Sequence, residues 1–123
     1  MYKLDDIQIF ITTHNRAEFL KDAINSLLMQ TAGAVEITVL DNESTDNTES
    51  VVKEFSCNNV KYIRTKGFLG NYKKAKELVS KDYVMLFHDD DLLHPQYLEF
   101  VLSVLNTQKT FHLSQQGIKL FQI

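Results

Sequence analysis

The stretch YVMLFHDDDLLHP, Tyr83 to Pro95, sets a short apolar run directly before three consecutive aspartates. The apolar half reads as a strand buried on both faces. Two like unit charges about 4 Å apart repel by about 4 kcal/mol at an effective dielectric near 20. Three carboxylates kept together at a strand end therefore need a compensating positive charge. Either they hold a cation, or they face the positive end of a helix expected to open at Pro95, the only proline.

Working outward, three more short runs rich in β-branched residues read as strands: Ile7 to Thr12, Val35 to Asp41 and Val60 to Arg64. Amphipathic stretches lie between them. Asn15 and Glu18 have the spacing of an N-cap and its return partner, and Leu20, Ala23, Ile24, Leu27 and Leu28 follow at helical spacing. A second helix is predicted from near Ser44 to Asn47 with Val51, Val52 and Phe55 inward. A third follows Gly70 with Tyr72, Ala75, Leu78 and Val79 inward, and a fourth runs from Pro95 with Leu98, Val101, Leu102 and Leu105 inward. This alternation predicts an α/β fold with a mostly parallel sheet flanked by helices. Beyond Asn106, TFHLSQ and IKLFQI flank Gln116-Gly117 as a hairpin or two short strands. The chain stops on apolar residues, so a partial domain whose last strand expects neighbours is anticipated.

The composition bounds the function. A chain of 123 residues, 44% hydrophobic and 24% charged, is one soluble domain's worth. A net charge of -3 argues against nucleic acid as a partner. No apolar run reaches membrane-spanning length, so membrane association would be peripheral at most. The lone Cys57 cannot form an internal disulfide, which fits a reducing, cytoplasmic compartment. Cys57 has no paired histidine, and His94 and His112 lack zinc-site spacing. Lysines crowd between Lys61 and Lys81, either as a solvated helix face or as a phosphate-holding segment.

Ligands of open α/β sheets bind beyond the carboxyl ends of strands. Three polar clusters fall at such ends: TTHNR, DNESTDNT and HDDD. Together IFITTHNRAEFLKDAINSLLMQ, ITVLDNESTDNT and YVMLFHDDDLLHP resemble the nucleotide-binding half of a family-2 glycosyltransferase with the GT-A fold. The resemblance covers roughly Ile7 to Leu105 and implies one Rossmann-like, partial GT-A domain over residues 1–123.

The resemblance implies that Asp89 approaches a ribose, that Asp90 binds a divalent metal (Mn²⁺ or Mg²⁺), and that Asp91 is the second candidate ligand. Such hard ions prefer carboxylate and phosphate oxygens. It further implies that Asp41 and Asn42 hydrogen-bond the base, commonly uracil, although Asp41 also suits an Asx-turn. Asn42 stands where many members carry a second aspartate. Thr12, Thr13, His14 and Asn15 would line the nucleotide, with His14 where tyrosine is common. Arg16 completes this match or is simply exposed to solvent. Ser44, Thr45 and Asp46 read as capping residues. The segment RTKGFLGNYKK lies where members have a loop covering the nucleotide, which makes Asn71, Lys66 and Lys73 further candidates. The implied activity is metal-assisted, inverting transfer of a sugar from a UDP-linked donor to a glycan or lipid-linked acceptor in cell-surface polysaccharide synthesis. No acidic residue follows Glu99, so the catalytic base is expected beyond the chain. The alternative is a nucleotide-diphosphate-binding remnant without turnover. A receiver-like or phosphatase-like domain would need early acids, whereas the first strand ends in Thr12-Thr13.

Overall fold

Strand β1 (Ile7–Thr13) lies inside a six-stranded sheet whose order is β3-β2-β1-β4-β6-β5. The computed structural model describes residues 1–107, 113–115 and 118–122. β2 (Ile37–Asn42), β3 (Val60–Thr65) and β4 (Tyr83–His88) run parallel to β1. β5 (Leu113–Gln115) and β6 (Ile118–Gln122) are antiparallel to each other, and β6 is antiparallel to β4. The two C-terminal segments are thus paired strands, while the expected turn at Gln116-Gly117 lies outside the described residues.

The helices α1 (Ala17–Leu28), α2 (Thr48–Lys53), α3 (Gly70–Leu78) and α4 (Tyr97–Leu105) connect the strands or follow β4. Period two on the strands divides the core. Ile7, Ile9 and Ile11 join Ile37, Val39, Tyr83, Met85 and Phe87 in the larger cluster with α1, α2 and α4. Phe10, Leu40 and Val84 point to the other face and meet Ala75 of α3. The chain builds β1, β2 and β3 outward in one direction, then returns to place β4 on the other side of β1. That reversal makes the carboxyl ends of β1 and β4 the topological switch, the place where open α/β sheets bind their ligands.

Three local expectations change. Asn15 does not cap α1: the cap position is Arg16, and no side chain caps there from within the helix. Asn15 is in left-handed backbone at φ 52 and turns its amide elsewhere. Pro95 is not the first residue of α4, which starts at Tyr97. Its cap comes from another helix's end, where the buried Gln30 accepts from the Leu98 N–H at 3.0 Å and donates to the His94 carbonyl at 2.8 Å. Tyr72 faces outward at 42% exposure, because Asn71, Ala75 and Leu78 form the inward side of α3.

Candidate functional site

Parallel pairing carries the ends of β1, β2, β3 and β4 to one edge, with Thr12 opposite His88 and Asp41 opposite Arg64. At the switch, the Thr13 hydroxyl donates to Asp89 Oδ2 at 2.8 Å, a buried bond between neighbouring strand ends. The His14 backbone N–H adds a second bond to Asp89. Burial is the largest influence on this carboxyl and raises its pKa above the usual carboxylate range, against the pull of Thr13 and Arg16. Asp91 is also raised, by burial first and then by the charge of Asp90, with His88 opposing. Asp90 is the open member: its side chain is 50% exposed and pairs with Arg16 Nη1 at 3.1 Å, and the same nitrogen lies 3.6 Å from Asp89. A pair this exposed is worth roughly 0–1 kcal/mol, so other ligands can compete with it.

Asp41 is fully buried. The Ser44 backbone N–H at 3.1 Å and the Ser44 hydroxyl both donate to its Oδ1. Tyr62 donates its hydroxyl to Oδ2 at 2.5 Å, and Arg64 Nη1 stands 3.7 Å away. Arg64 also donates to the Ser44 carbonyl at 3.0 Å. Burial first, and then the Asp41 bond, push the Tyr62 phenol up to about 12. Asp41 therefore closes a turn and anchors β3, and its oxygens already have donors. Tyr62 and Arg64 were not singled out from the sequence, although two polar residues at period two on one strand are the signal for a shared face.

Asn42 spans the gap to the β3–α3 loop. Its Oδ1 accepts from the Thr65 hydroxyl at 3.0 Å and its Nδ2 donates to the Gly67 carbonyl at 3.1 Å. An aspartate accepts only, so the amide is what this clasp requires. Gly70 completes it, since a Cβ there would lie 2.6 Å from Asn42 Oδ1. The Asn42 carbonyl lies 2.6 Å from His14 Nδ1, which must donate. Asn15 Oδ1 accepts from the Thr45 and Asp46 backbone N–H groups at 2.7 and 3.3 Å, and its own N–H goes to Ser44 Oγ at 2.8 Å. Asp46 accepts from the Ala17 N–H at 3.3 Å and from the Thr48 N–H and hydroxyl, which bears out its reading as a capping residue.

Thr12 is buried, 3.5 Å from His88 Nδ1, and Asn71 Nδ2 reaches the Leu40 carbonyl at 3.4 Å. The edge thus collects Thr12, His14, Asn15, Asp41, Asn42, Asn71 and the triplet. Lys66, Lys73, His94 and Cys57 are exposed, and His112 lies outside the described residues.

Among the described residues, no group of three or more His, Cys, Asp or Glu side chains could hold a metal. Asp90 and Asp91 offer hard oxygens, which suits Mg²⁺ or Mn²⁺ held by one or two carboxylates together with phosphate oxygens and water. The Asp89 and Asp91 carboxyls are raised first by burial and further by the neighbouring charge of Asp90, an arrangement that a bound cation would relieve.

Solved glycosyltransferase structures of the GT-A class share this fold of a mostly parallel sheet flanked by helices. Residues 8–115 match the family model of glycosyl transferase family 2, and the chain belongs to that family. Among curated relatives, abequosyltransferase RfbV of Salmonella typhimurium is 31% identical over 115 residues, covering 87% of this chain and 34% of that protein. The Escherichia coli UDP-Glc:alpha-D-GlcNAc-diphosphoundecaprenol beta-1,3-glucosyltransferase WfgD is 29% identical, covering 83% of this chain and 42% of its own length. The mannosyltransferase PcManGT from Pyrobaculum calidifontis, solved with GDP-Man and Mn²⁺, superposes with a TM-score of 0.80 at 14% identity, over 95% of this chain and 44% of that one. Staphylococcus aureus TarS with UDP-GlcNAc gives 0.76 at 20% identity, over 85% and 32%. The chain spans about a third of the length of the first curated relatives it matches. Among the described residues, no helix is long and apolar enough to cross a membrane.

Proposed function

We propose that the carboxyl edge binds a UDP-linked sugar donor for metal-assisted, inverting transfer to a glycan or lipid-linked acceptor in cell-surface polysaccharide synthesis. The observation that carries this reading is the division of labour within the triplet. Asp89 is buried and anchored by Thr13, while Asp90 stands open, paired with the exposed Arg16. Asp90 and Asp91 would hold Mn²⁺ or Mg²⁺, which would neutralise the leaving nucleotide diphosphate. Asp89, fixed at the switch, faces the ribose. Thr12, His14, Asn15, Asn42 and Asn71 line the nucleotide. Asp41 contributes to base recognition through the turn it holds, because its own oxygens are engaged. Donors in the structural neighbours include UDP-GlcNAc and GDP-Man, and a lipid diphosphate acceptor appears in the name of WfgD; both support the class.

Donor binding without turnover is the second reading, since the groups brought together at the carboxyl edge are those assigned to the donor and its metal. Calorimetric titration with UDP, with and without Mn²⁺, tests donor binding in both. Metal-dependent binding lost in Asp90→Ala supports the site, and binding indifferent to metal and substitution refutes it. A transfer assay with this chain separates the two readings.

A further inference from the structure

Beyond the Asn42 clasp at Gly67, the β3–α3 loop and the start of α3, whose Lys66 and Lys73 the family resemblance also offers to the nucleotide, present an exposed surface. Phe68 is 84% exposed, Leu69 47% and Tyr72 42%. Leu69 sits at φ 56, left-handed backbone that is unfavourable for a bulky residue and routine for glycine. Half its side chain is in water, so interior packing does not account for a leucine there. Tyr72, Lys73 and Lys76 follow Leu69 at helical spacing, so they share the outward side of α3 opposite Asn71, Ala75 and Leu78. Lys66 precedes the loop. Lys66, Lys73 and Lys76 make no ion pair among the described residues, whereas Lys74 is paired with Glu77 at 3.3 Å. In a chain of net charge -3, three unpaired lysines around three exposed apolar side chains form a local exception.

We propose that Phe68, Leu69 and Tyr72, ringed by Lys66, Lys73 and Lys76, seat the domain on an anionic lipid bilayer. The apolar tips enter the headgroup boundary while the ammonium groups meet lipid phosphates. Charge complementarity selects this occupant. A second copy of the chain would set lysines against lysines, and a neutral apolar partner would leave them unanswered. The patch begins at the carboxyl edge, one residue beyond Gly67 of the Asn42 clasp, so a bilayer-borne acceptor would arrive beside the donor. The proposal extends the glycosyl-transfer reading to the lipid-linked acceptor class, yet its test does not pass through nucleotide binding.

That test is flotation of the chain with vesicles of pure phosphatidylcholine or of phosphatidylcholine containing phosphatidylglycerol. Each lysine near an anionic surface contributes about fivefold to partitioning. The chain is expected on the anionic vesicles only, with binding that weakens as salt rises. Lys73→Glu/Lys76→Glu and, separately, Phe68→Ser/Tyr72→Ser should each cut it about tenfold or more, with UDP titration run on the same samples. Absence from anionic vesicles, binding that neither pair of substitutions changes, or concentration-dependent dimers that Phe68→Ser/Tyr72→Ser dissolves would overturn the proposal. A chain that floats yet ignores UDP removes the donor reading and leaves the bilayer contact standing.

Discussion

The Thr13 hydroxyl donates to Asp89 Oδ2 at 2.8 Å with both residues buried, a side-chain tie between the carboxyl ends of β1 and β4. Removing the donor strands a buried carboxylate oxygen, which costs about 1–3 kcal/mol. Thr13→Val is expected to lose that much stability in urea denaturation, while Thr13→Ser stays near wild type. Equal midpoints for the valine and serine variants would show that the bond contributes nothing.

Arg16 is the cation facing the triplet, 3.1 Å from Asp90 and 3.6 Å from Asp89. It therefore competes with any divalent ion for Asp90. An exposed pair of this kind is worth at most about 1 kcal/mol, so Arg16→Gln should tighten Mn²⁺ binding by up to about fivefold. Free Mn²⁺ measured by electron paramagnetic resonance provides the check, with Asp90→Asn expected to abolish binding. Unchanged affinity in Arg16→Gln would mean that the guanidinium does not compete.

Asp41 has no contact with water, and Tyr62 supplies the hydroxyl on one of its oxygens. Tyr62→Phe leaves Oδ2 with Arg64 at 3.7 Å. The expected loss is about 1–3 kcal/mol of folding stability, read from chemical denaturation. A cost below about 0.5 kcal/mol would indicate that Arg64 closes in to replace the phenol.

Gly70 is required because of Asn42. A methyl group at Gly70 would meet Asn42 Oδ1 at 2.6 Å, and that amide is held by Thr65 and Gly67. Gly70→Ala should cost about 1–3 kcal/mol alone and much less in an Asn42→Ala background. A double-mutant cycle measures the coupling, and simple additivity would break the link between the two residues.

Asp46 gives the pH dependence. The Thr48 hydroxyl is the largest influence on its carboxyl and lowers its pKa, with the Ala17 and Thr48 N–H groups assisting and burial opposing. A depressed folded pKa favours the charged form in the native state. Its stabilisation is therefore present above the unfolded carboxylate value of about 3.9 and is lost as pH falls from there through the folded value. Asp46→Ala should be less stable than wild type at neutral pH, with the gap narrowing below about pH 4. A gap constant from pH 7 to pH 3 would exclude this charge linkage.

Strand and helix order were legible because period two and period 3.6 are written locally, from Ile7, Ile9 and Ile11 to Leu20, Ala23, Ile24 and Leu27. The three acidic and polar clusters were legible for the same reason: each directly follows an apolar run. Cap identities were not, because they are settled between elements. Asn15 has the sequence spacing of a cap for its own helix, yet its amide serves the backbone of Thr45 and Asp46. The cap of α4 arrives from Gln30 at the far end of α1.

The sequence by itself determined that this is a parallel α/β domain with carboxylates gathered at strand ends, since hydrophobic periodicity and strand-end position need no partner to be read. Only the tertiary structure decided what each carboxylate meets. Strand order puts β1 between β2 and β4, so Asp89 is met by Thr13 while Asp41 is met by Tyr62 and Arg64 from the opposite neighbour. Burial and donor supply follow from that order, and they leave Asp90 as the carboxylate open to a cation.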